Sequence, residues 1–268
     1  MRKIGFIGAG NMAEAIIKGL CATGEDVEIR ITNRSNEERL KRLAETYGVL
    51  PAAIPELVQE SEVLFLAVKP KDIVGVLKSL RDYQLEKKLI ISVAAGIRLE
   101  TLEKYLSQAA VIRAMPNTSS AVLHSMTGLA KGKNTKIEHV QLAEKIFASI
   151  GKVLWIMEDQ MNVLTALSGS GPAYFYLFTE SLIKAGVRLG LEEKDAEILA
   201  RETIIGAGKM LEASGKSPSR LREEVTSPKG TTEAALKVFW QADMPEIVFQ
   251  AARAAAKRGE EMEGEYSN

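Results

Sequence analysis

Two stretches of the 268-residue chain carry residue types whose spacing could do chemistry. The first is Gly8-Ala9-Gly10-Asn11-Met12-Ala13, a Gly-x-Gly-x-x-Ala turn between an apolar β-type run ending at Ile7 and an apolar-periodic helix. In such a turn Gly8 permits the tight bend, Gly10 lets the backbone approach a pyrophosphate, and Ala13 lets helix and strand pack closely. Phosphates would sit on free N–H groups at a helix N-terminus, where the macrodipole favours negative charge. The competing reading is a tight βα turn with no ligand. The second stretch runs from Val225 to Leu236, a loop entering a helix with hydroxyls at Thr226, Ser227, Thr231 and Thr232. Hydroxyls and free N–H groups at a helix start can hold a carboxylate. A plain threonine cap with Glu233 in the first turn is the alternative.

Acid/base groups are scarce. His139 lies in the charged start of a helix and reads as solvated, and His124 follows the Pro116-Asn117 turn with a surface or structural role favoured. The single cysteine, Cys21, reads as a small core filler on the first helix, and no Cys/His cluster suggests a metal. No Ser-His-Asp arrangement is apparent. Reducing a ketone by hydride usually requires a placed proton donor for the developing alkoxide. An imine that is already protonated does not, so a nicotinamide site without a His or Lys catalyst suits a C=N bond.

These residues need elements to hold them. The chain is 46% hydrophobic and 26% charged, which fits a globular protein. Lys+Arg and Asp+Glu both total 35, so no basic excess points to nucleic acid or a membrane surface. One cysteine excludes an internal disulfide and fits a reducing compartment. The N-terminus runs directly into a strand and no apolar run is long enough to span a bilayer, so the expectation is a cytoplasmic protein.

After the first helix (10–22), residues 27–32 alternate as a second strand. The position just beyond it reads the ribose in a Rossmann fold. Here it offers Asn33, Arg34 and Ser35 with no acid, which favours NADP(H) and leaves NAD(H) second. Continuous apolar runs at 63–68, 89–93 and 110–115 read as strands buried on both faces. They end in Lys69-Pro70 before a helix at 70–82, in Ala94-Ala95-Gly96 and in Pro116-Asn117-Thr118, three short loops on one carboxyl edge. A strand-like stretch at 121–131, a helix at 136–149 and a strand at 153–156 follow.

Beyond Asp159 only helical periodicity is visible: 161–167, a break at 168–172, then 173–189, 194–213, 231–243 and 245–262, with a frayed tail from Glu263. The expected fold is α/β: a Rossmann-type, doubly wound, mostly parallel sheet (1–159) followed by an all-α domain (160–268). The helix at 173–189 is apolar around much of its circumference, and Gly206 and Gly208 sit mid-helix where another helix must come close. Both favour an obligate dimer over a purely local core.

Six motifs resemble those of pyrroline-5-carboxylate reductases, in the same order along the whole chain. They are Gly5 to Met12, Ala67-Val68-Lys69-Pro70, Val93 to Gly96, Arg113 to Thr118, Leu167 to Tyr174 and Thr226 to Thr232. The resemblance implies NAD(P)H-dependent reduction of 1-pyrroline-5-carboxylate to L-proline, the last step of proline biosynthesis. It also implies a helical dimerisation domain, with dimers or rings of dimers as the assembly. By position, Ile7, Gly8, Ala9, Gly10, Asn11, Met12, Ala67, Val68, Lys69 and Pro70 match cofactor-binding segments. Ser35 matches a residue near the 2′-phosphate, and Ala94, Ala95, Gly96, Met115, Pro116 and Asn117 would flank the nicotinamide. Ser227, Gly230, Thr231 and Thr232 match a carboxylate-holding loop, with Thr232 the catalytic partner of the ring nitrogen; the family places this site at the dimer interface. Two departures stand out: Lys229 replaces a glycine common in the family, and Asn162 replaces a common acid. A β-hydroxyacid dehydrogenase would need a lysine in the helix after the Gly-rich break, where this chain has Tyr174-Phe175-Tyr176 and no lysine before Lys184. A non-catalytic NADP-binding regulator is the remaining alternative, and only the hydroxyl-rich loop opposes it.

Overall fold

Strands β1 (Arg2–Ile7, from Ile4 onward), β4 (Val63–Leu66), β5 (Leu89–Ser92) and β6 (Ala110–Met115) are mostly apolar and buried because helices cover both faces of their sheet. In the computed structural model, which describes residues 1–266, they join β2 (Val27–Thr32), β3 (Leu50–Pro51), β7 (Ser125–Lys131) and β8 (Gly151–Trp155). The order is β3-β2-β1-β4-β5-β6-β7-β8, parallel throughout except for the antiparallel β6–β7 pair. Alternate side chains serve separate cores: Val63 and Phe65 pack with Ile4, Phe6, Ile16 and Phe147, whereas Leu64 and Leu66 pack with Leu57, Ile73, Leu77 and Leu102. Phe6 and Phe65 stack with ring centroids 4.6 Å apart. The covering helices are α1 (Asn11–Ala22), α2 (Glu37–Tyr47), α3 (Ile54–Glu60), α4 (Pro70–Leu80), α5 (Leu99–Tyr105) and α6 (Ile137–Ala148). The chain reverses its strand order between β1 and β4, so the carboxyl ends of these neighbours frame the crevice where doubly wound folds hold ligands.

Four expectations change. The stretch at 121–131 is not one strand: Thr118–Val122 forms a 3-10 turn, Leu123 is left-handed (φ 58°), and β7 begins only at Ser125. Asn117 causes this, its side chain accepting from the Ser119 N–H while its carbonyl accepts from the Ser120 hydroxyl. The expected break at 168–172 is instead a π-turn over Thr165–Gly169, which joins α7 (Met161–Leu164) to α8 (Gly171–Arg188). Cys21 is exposed rather than core filler, its thiol 3.8 Å from the Tyr47 carbonyl. The chain from Glu263 is not frayed, since α12 (Met244–Tyr266) continues and Glu263 is buried against Arg113. Ser267 and Asn268, part of that expected tail, lie outside the described residues.

Contacts divide the chain into two compact units, Met1–Ser170 with the chain from Ala254 onward, and Gly171–Arg253. Met161 and Ala166 are buried, and Met161 belongs to the core of the first unit, so this division falls later than Asp159. The second unit holds α8, α9 (Glu193–Ser214), α10 (Pro218–Glu224), α11 (Thr231–Gln241) and the start of α12. Gly186 of α8 meets α9 closely, since a Cβ there would lie 3.0 Å from the Ala196 Cβ. By contrast, apart from the adjoining residues and the helix's own backbone, no atom of the described residues lies within 4 Å of a Cβ built at Gly206 or Gly208. Phe175, Tyr176, Leu177, Val238, Trp240 and Phe249 are exposed on the single chain, an apolar surface well beyond scattered residues.

Candidate functional site

The Gly-rich turn sits at the β1/β4 switch point. Gly8 N–H donates to the Thr32 carbonyl and Ala67 N–H to the Ile7 carbonyl, both at 2.9 Å, tying the ends of β1, β2 and β4 together. Gly8 has φ +108°, and a Cβ there would lie 2.4 Å from the Ala67 carbonyl oxygen, so no other residue fits. Gly10 is the N-cap of α1 in extended conformation, and a Cβ there would meet only the Ala67 oxygen, at 3.8 Å. No side chain caps α1, which leaves its first N–H groups available to an anion.

These groups open into a cleft of about 840 Å³ lined by Ile7 to Asn11, Thr32 to Asn36, Arg39, Ile54, Ala67 to Lys69, Lys71, Asp72 and α4 residues. A glycine cradle, an uncapped helix start and cations at Arg34, Lys69 and Lys71 are the donor set a dinucleotide phosphate requires. Met12 and Pro70 do not line the cleft: Met12 packs on the core with its sulfur 3.6 Å from the Ser120 hydroxyl oxygen, and Pro70 is the first residue of α4.

The expected nicotinamide-flanking residues lie at the same carboxyl edge, outside that cleft. Gly96 faces α12, where a Cβ would lie 3.2 Å from the Met262 Cβ. Asn117 donates its amide to the Ser168 carbonyl and hydroxyl at 3.1 and 3.3 Å. A Cβ on Gly169 would lie 3.1 Å from the Met115 methyl, so the π-turn packs against the end of β6. Sequence reasoning missed Arg39. Its Nε donates to the Ala9 carbonyl at 3.0 Å, and its Nη2 reaches Asn11 Oδ1 at 3.1 Å and Glu14 Oε2 at 2.6 Å. It thus clamps the Gly-rich turn from α2, and only Glu14 in the first turn of α1 hints at such a partner. Also unforeseen is Arg113, buried on β6, which binds Glu158 at 2.8 Å and Glu263 at 2.9 Å; Glu158 also accepts from the Leu99 N–H.

The second loop is built from a turn and an uncapped helix. Gly230 N–H donates to the Ser227 carbonyl at 3.0 Å across Ser227-Pro228-Lys229-Gly230. Proline second and φ +61° at Lys229 third make the type II pattern, which explains why glycine suits that position. Glu233 reaches back to accept the Lys229 N–H at 2.7 Å. Gly230, not a threonine, is the N-cap of α11, and no side chain caps it. The Thr226 hydroxyl is used on the Arg222 carbonyl, closing the end of α10. Thr231 and Thr232 are therefore the first helical residues, beside N–H groups that no side chain satisfies. A neighbouring groove of about 810 Å³ includes Arg222, Lys229, Gly230 and Trp240, with the Arg222 guanidinium 5.4 Å from the Trp240 ring centroid; Ser227, Thr231 and Thr232 do not line it.

The two histidines lie at helix and turn ends. His139 Nδ1 accepts the Lys136 N–H at the start of α6, and His124 follows the left-handed Leu123. Among the described residues no group of three or more His, Cys, Asp and Glu could hold a metal, and no helix is long and apolar enough to cross a membrane.

Comparison with known proteins bears on this geometry. Residues 158–262 match the model for pyrroline-5-carboxylate reductase dimerisation, and residues 3–96 match that for NADP oxidoreductase, coenzyme F420-dependent. Pyrroline-5-carboxylate reductase 2 of Bacillus subtilis is 40% identical over 271 aligned positions, covering 100% of this chain and 97% of the relative. The structure of a pyrroline-5-carboxylate reductase from Coxiella burnetii superposes with a TM-score of 0.91 at 40% identity, covering 97% of each chain. That of Plasmodium falciparum pyrroline carboxylate reductase with NADP bound gives 0.84 at 30% identity, covering 98% of each. Full-length identity at this level, with the same two-part fold, places the chain in the pyrroline-5-carboxylate reductase family.

Proposed function

We propose that this protein reduces the C=N bond of 1-pyrroline-5-carboxylate to L-proline with NAD(P)H. The observation that carries the reading is the start of α11: three hydroxyls stand beside it, yet none caps it. A cap would have used one of them and the free N–H it bonds; with the helix start open, Ser227, Thr231, Thr232 and the Gly230 backbone can hold a substrate carboxylate. Thr232 is the residue assigned to the ring nitrogen, where a hydroxyl can hydrogen-bond the amine as it forms. NAD(P)H, when bound, supplies the hydride. The substrate nitrogen arrives protonated, so the chain has only to bind and orient, which accords with the lack of a catalytic His or Lys. A β-hydroxyacid dehydrogenase would need a lysine near the start of α8, where this chain has Tyr174-Phe175-Tyr176 and its first lysine is Lys184, more than two turns later.

On the cofactor side, Ile7 to Asn11, Arg34, Ser35 and Ala67 to Lys69 are assigned to the dinucleotide, with Met12 and Pro70 shaping the turn and helix start behind them. Ala94 to Gly96 and Met115 to Asn117 are assigned to the nicotinamide end. Arg34 and Ser35, with no acid at the ribose position, support NADP(H) over NAD(H). The exposed apolar faces of α8, α11 and α12 support a homodimer through the helical unit; assembly into a ring of dimers rests on the family resemblance, and a cytoplasmic setting on the single cysteine. The division into a dinucleotide unit and a dimerisation and substrate unit follows. A substrate panel tests the activity: NADPH oxidation with 1-pyrroline-5-carboxylate and no NADP reduction with 3-hydroxyisobutyrate is expected, and the reverse pattern would overturn the assignment.

A further inference from the structure

The cofactor cleft holds a carboxylate that no dinucleotide rule calls for. Asp72 stands in the first turn of α4, its N–H bonded to the Lys69 carbonyl at 2.9 Å, and lines the same cleft as Arg34 and Ser35. Its Oδ1 lies 3.7 Å from Arg34 Nη1, an ion pair longer than a hydrogen bond. The Arg34 side chain is 86% exposed and that of Asp72 33%, so the guanidinium is held loosely. Arg39, the other arginine of the cleft, is committed to Ala9, Asn11 and Glu14. Arg34 is thus the guanidinium at the ribose-reading position that can turn to a new anion, and Asp72 is what it must leave.

We infer that Asp72 is a specificity-determining residue of this cleft: its pairing with Arg34 and its own charge oppose a 2′-phosphate and narrow the preference for NADPH over NADH. The inference rests on the cofactor reading above. A 2′-phosphate brings a charge near −2, which Arg34 attracts and Asp72 repels. A 2′-hydroxyl is neutral and feels neither strongly. Removing the carboxylate therefore releases Arg34 and ends the repulsion for one nucleotide only. An exposed pair and a through-water repulsion each contribute modestly, giving about a fivefold combined gain in NADPH affinity. Because both act through solvent, the gain shrinks in high salt.

The test is direct binding, independent of turnover. NADPH and NADH are titrated into wild type, Asp72→Asn and Asp72→Ala by calorimetry, with adenosine 2′,5′-bisphosphate as a probe that lacks the nicotinamide. The expected result is an NADPH Kd lowered about fivefold in both variants, an NADH Kd changed less than twofold, and a smaller difference at about 1 M salt, where the Debye length is about 3 Å. An unchanged NADH-to-NADPH Kd ratio in both variants, with wild type binding both nucleotides, would overturn the inference alone. A wild type that binds neither nucleotide would overturn the cofactor reading and this inference with it.

Discussion

Two glycines two residues apart in the same turn, Gly8 and Gly10, should fail in different ways when replaced by alanine. At Gly8 the backbone has φ +108°, which L residues rarely adopt, and the new methyl would lie 2.4 Å from the Ala67 oxygen and 2.6 Å from the Ala67 carbonyl carbon. Strain of this kind costs about 1–3 kcal/mol, and forcing β1 away from β4 about 1–3 kcal/mol more. Gly8→Ala should therefore lose roughly 4 kcal/mol, lowering Tm by about 10 °C. At Gly10 the backbone is already extended, and the methyl meets only one oxygen at 3.8 Å. The poorer N-cap and the stiffer unfolded chain nearly cancel, so Tm should stay within about 3 °C. The methyl would nevertheless occupy the cleft where a pyrophosphate must approach, raising the NADPH Kd about tenfold or more. Thermal melts by circular dichroism and NADPH titration by fluorescence read both quantities. A Gly10→Ala protein that binds NADPH like wild type would refute the placement of the phosphates, and a Gly8→Ala protein melting like wild type would refute the close approach of Ala67.

Four further outcomes follow from the geometry. Thr232→Ala should lower kcat about tenfold or more while leaving the NADPH Kd within about twofold, because its hydroxyl is assigned to substrate alone; equal losses in both would place it elsewhere. Arg39→Met removes the clamp on Ala9 and Asn11, and the NADPH Kd should rise about tenfold with a smaller loss of stability, measured by titration and melting. Glu263→Ala leaves the buried Arg113 with Glu158 only, which should cost about 3 kcal/mol and lower Tm by about 6–12 °C. Asp substituted for Phe175 and Leu177, both exposed on the single chain, should convert a sedimenting dimer to monomer; an unchanged sedimentation coefficient would exclude the α8 face as the contact.

What the sequence displayed and what it concealed divide along physical lines. Strands β4, β5 and β6 were legible because a parallel sheet covered on both faces leaves continuous apolar runs. The Gly8 turn was legible because its backbone tolerates one residue type only. The 3-10 turn at Thr118–Val122 was not, since Thr-Ser-Ser-Ala-Val shows no helical period and its last two residues run on into the strand-like stretch, while Asn117 sets the turn through side-chain hydrogen bonds. The π-turn was hidden because Ser-Gly-Ser-Gly-Pro normally marks a break, whereas here the Thr165 carbonyl accepts from the Ser170 N–H and the helix carries on. Arg39 and Glu263 were out of reach for a different reason. Their partners Ala9 and Arg113 lie 30 and 150 residues away, and nothing local encodes such a pairing. The loop proposed to hold a carboxylate was visible as a cluster of hydroxyls, but only the observed N-cap at Gly230 rules out an ordinary threonine cap there.

The central claim is that hydride passes from a bound nicotinamide to the C=N carbon of a cyclic imino acid. Incubating the protein with 1-pyrroline-5-carboxylate and NADPH carrying deuterium at both C4 positions, then analysing the product by mass spectrometry, tests it in one step. The account predicts L-proline carrying a single deuterium, located at C5. Proline without deuterium, or NADPH consumed with no proline formed, would contradict it.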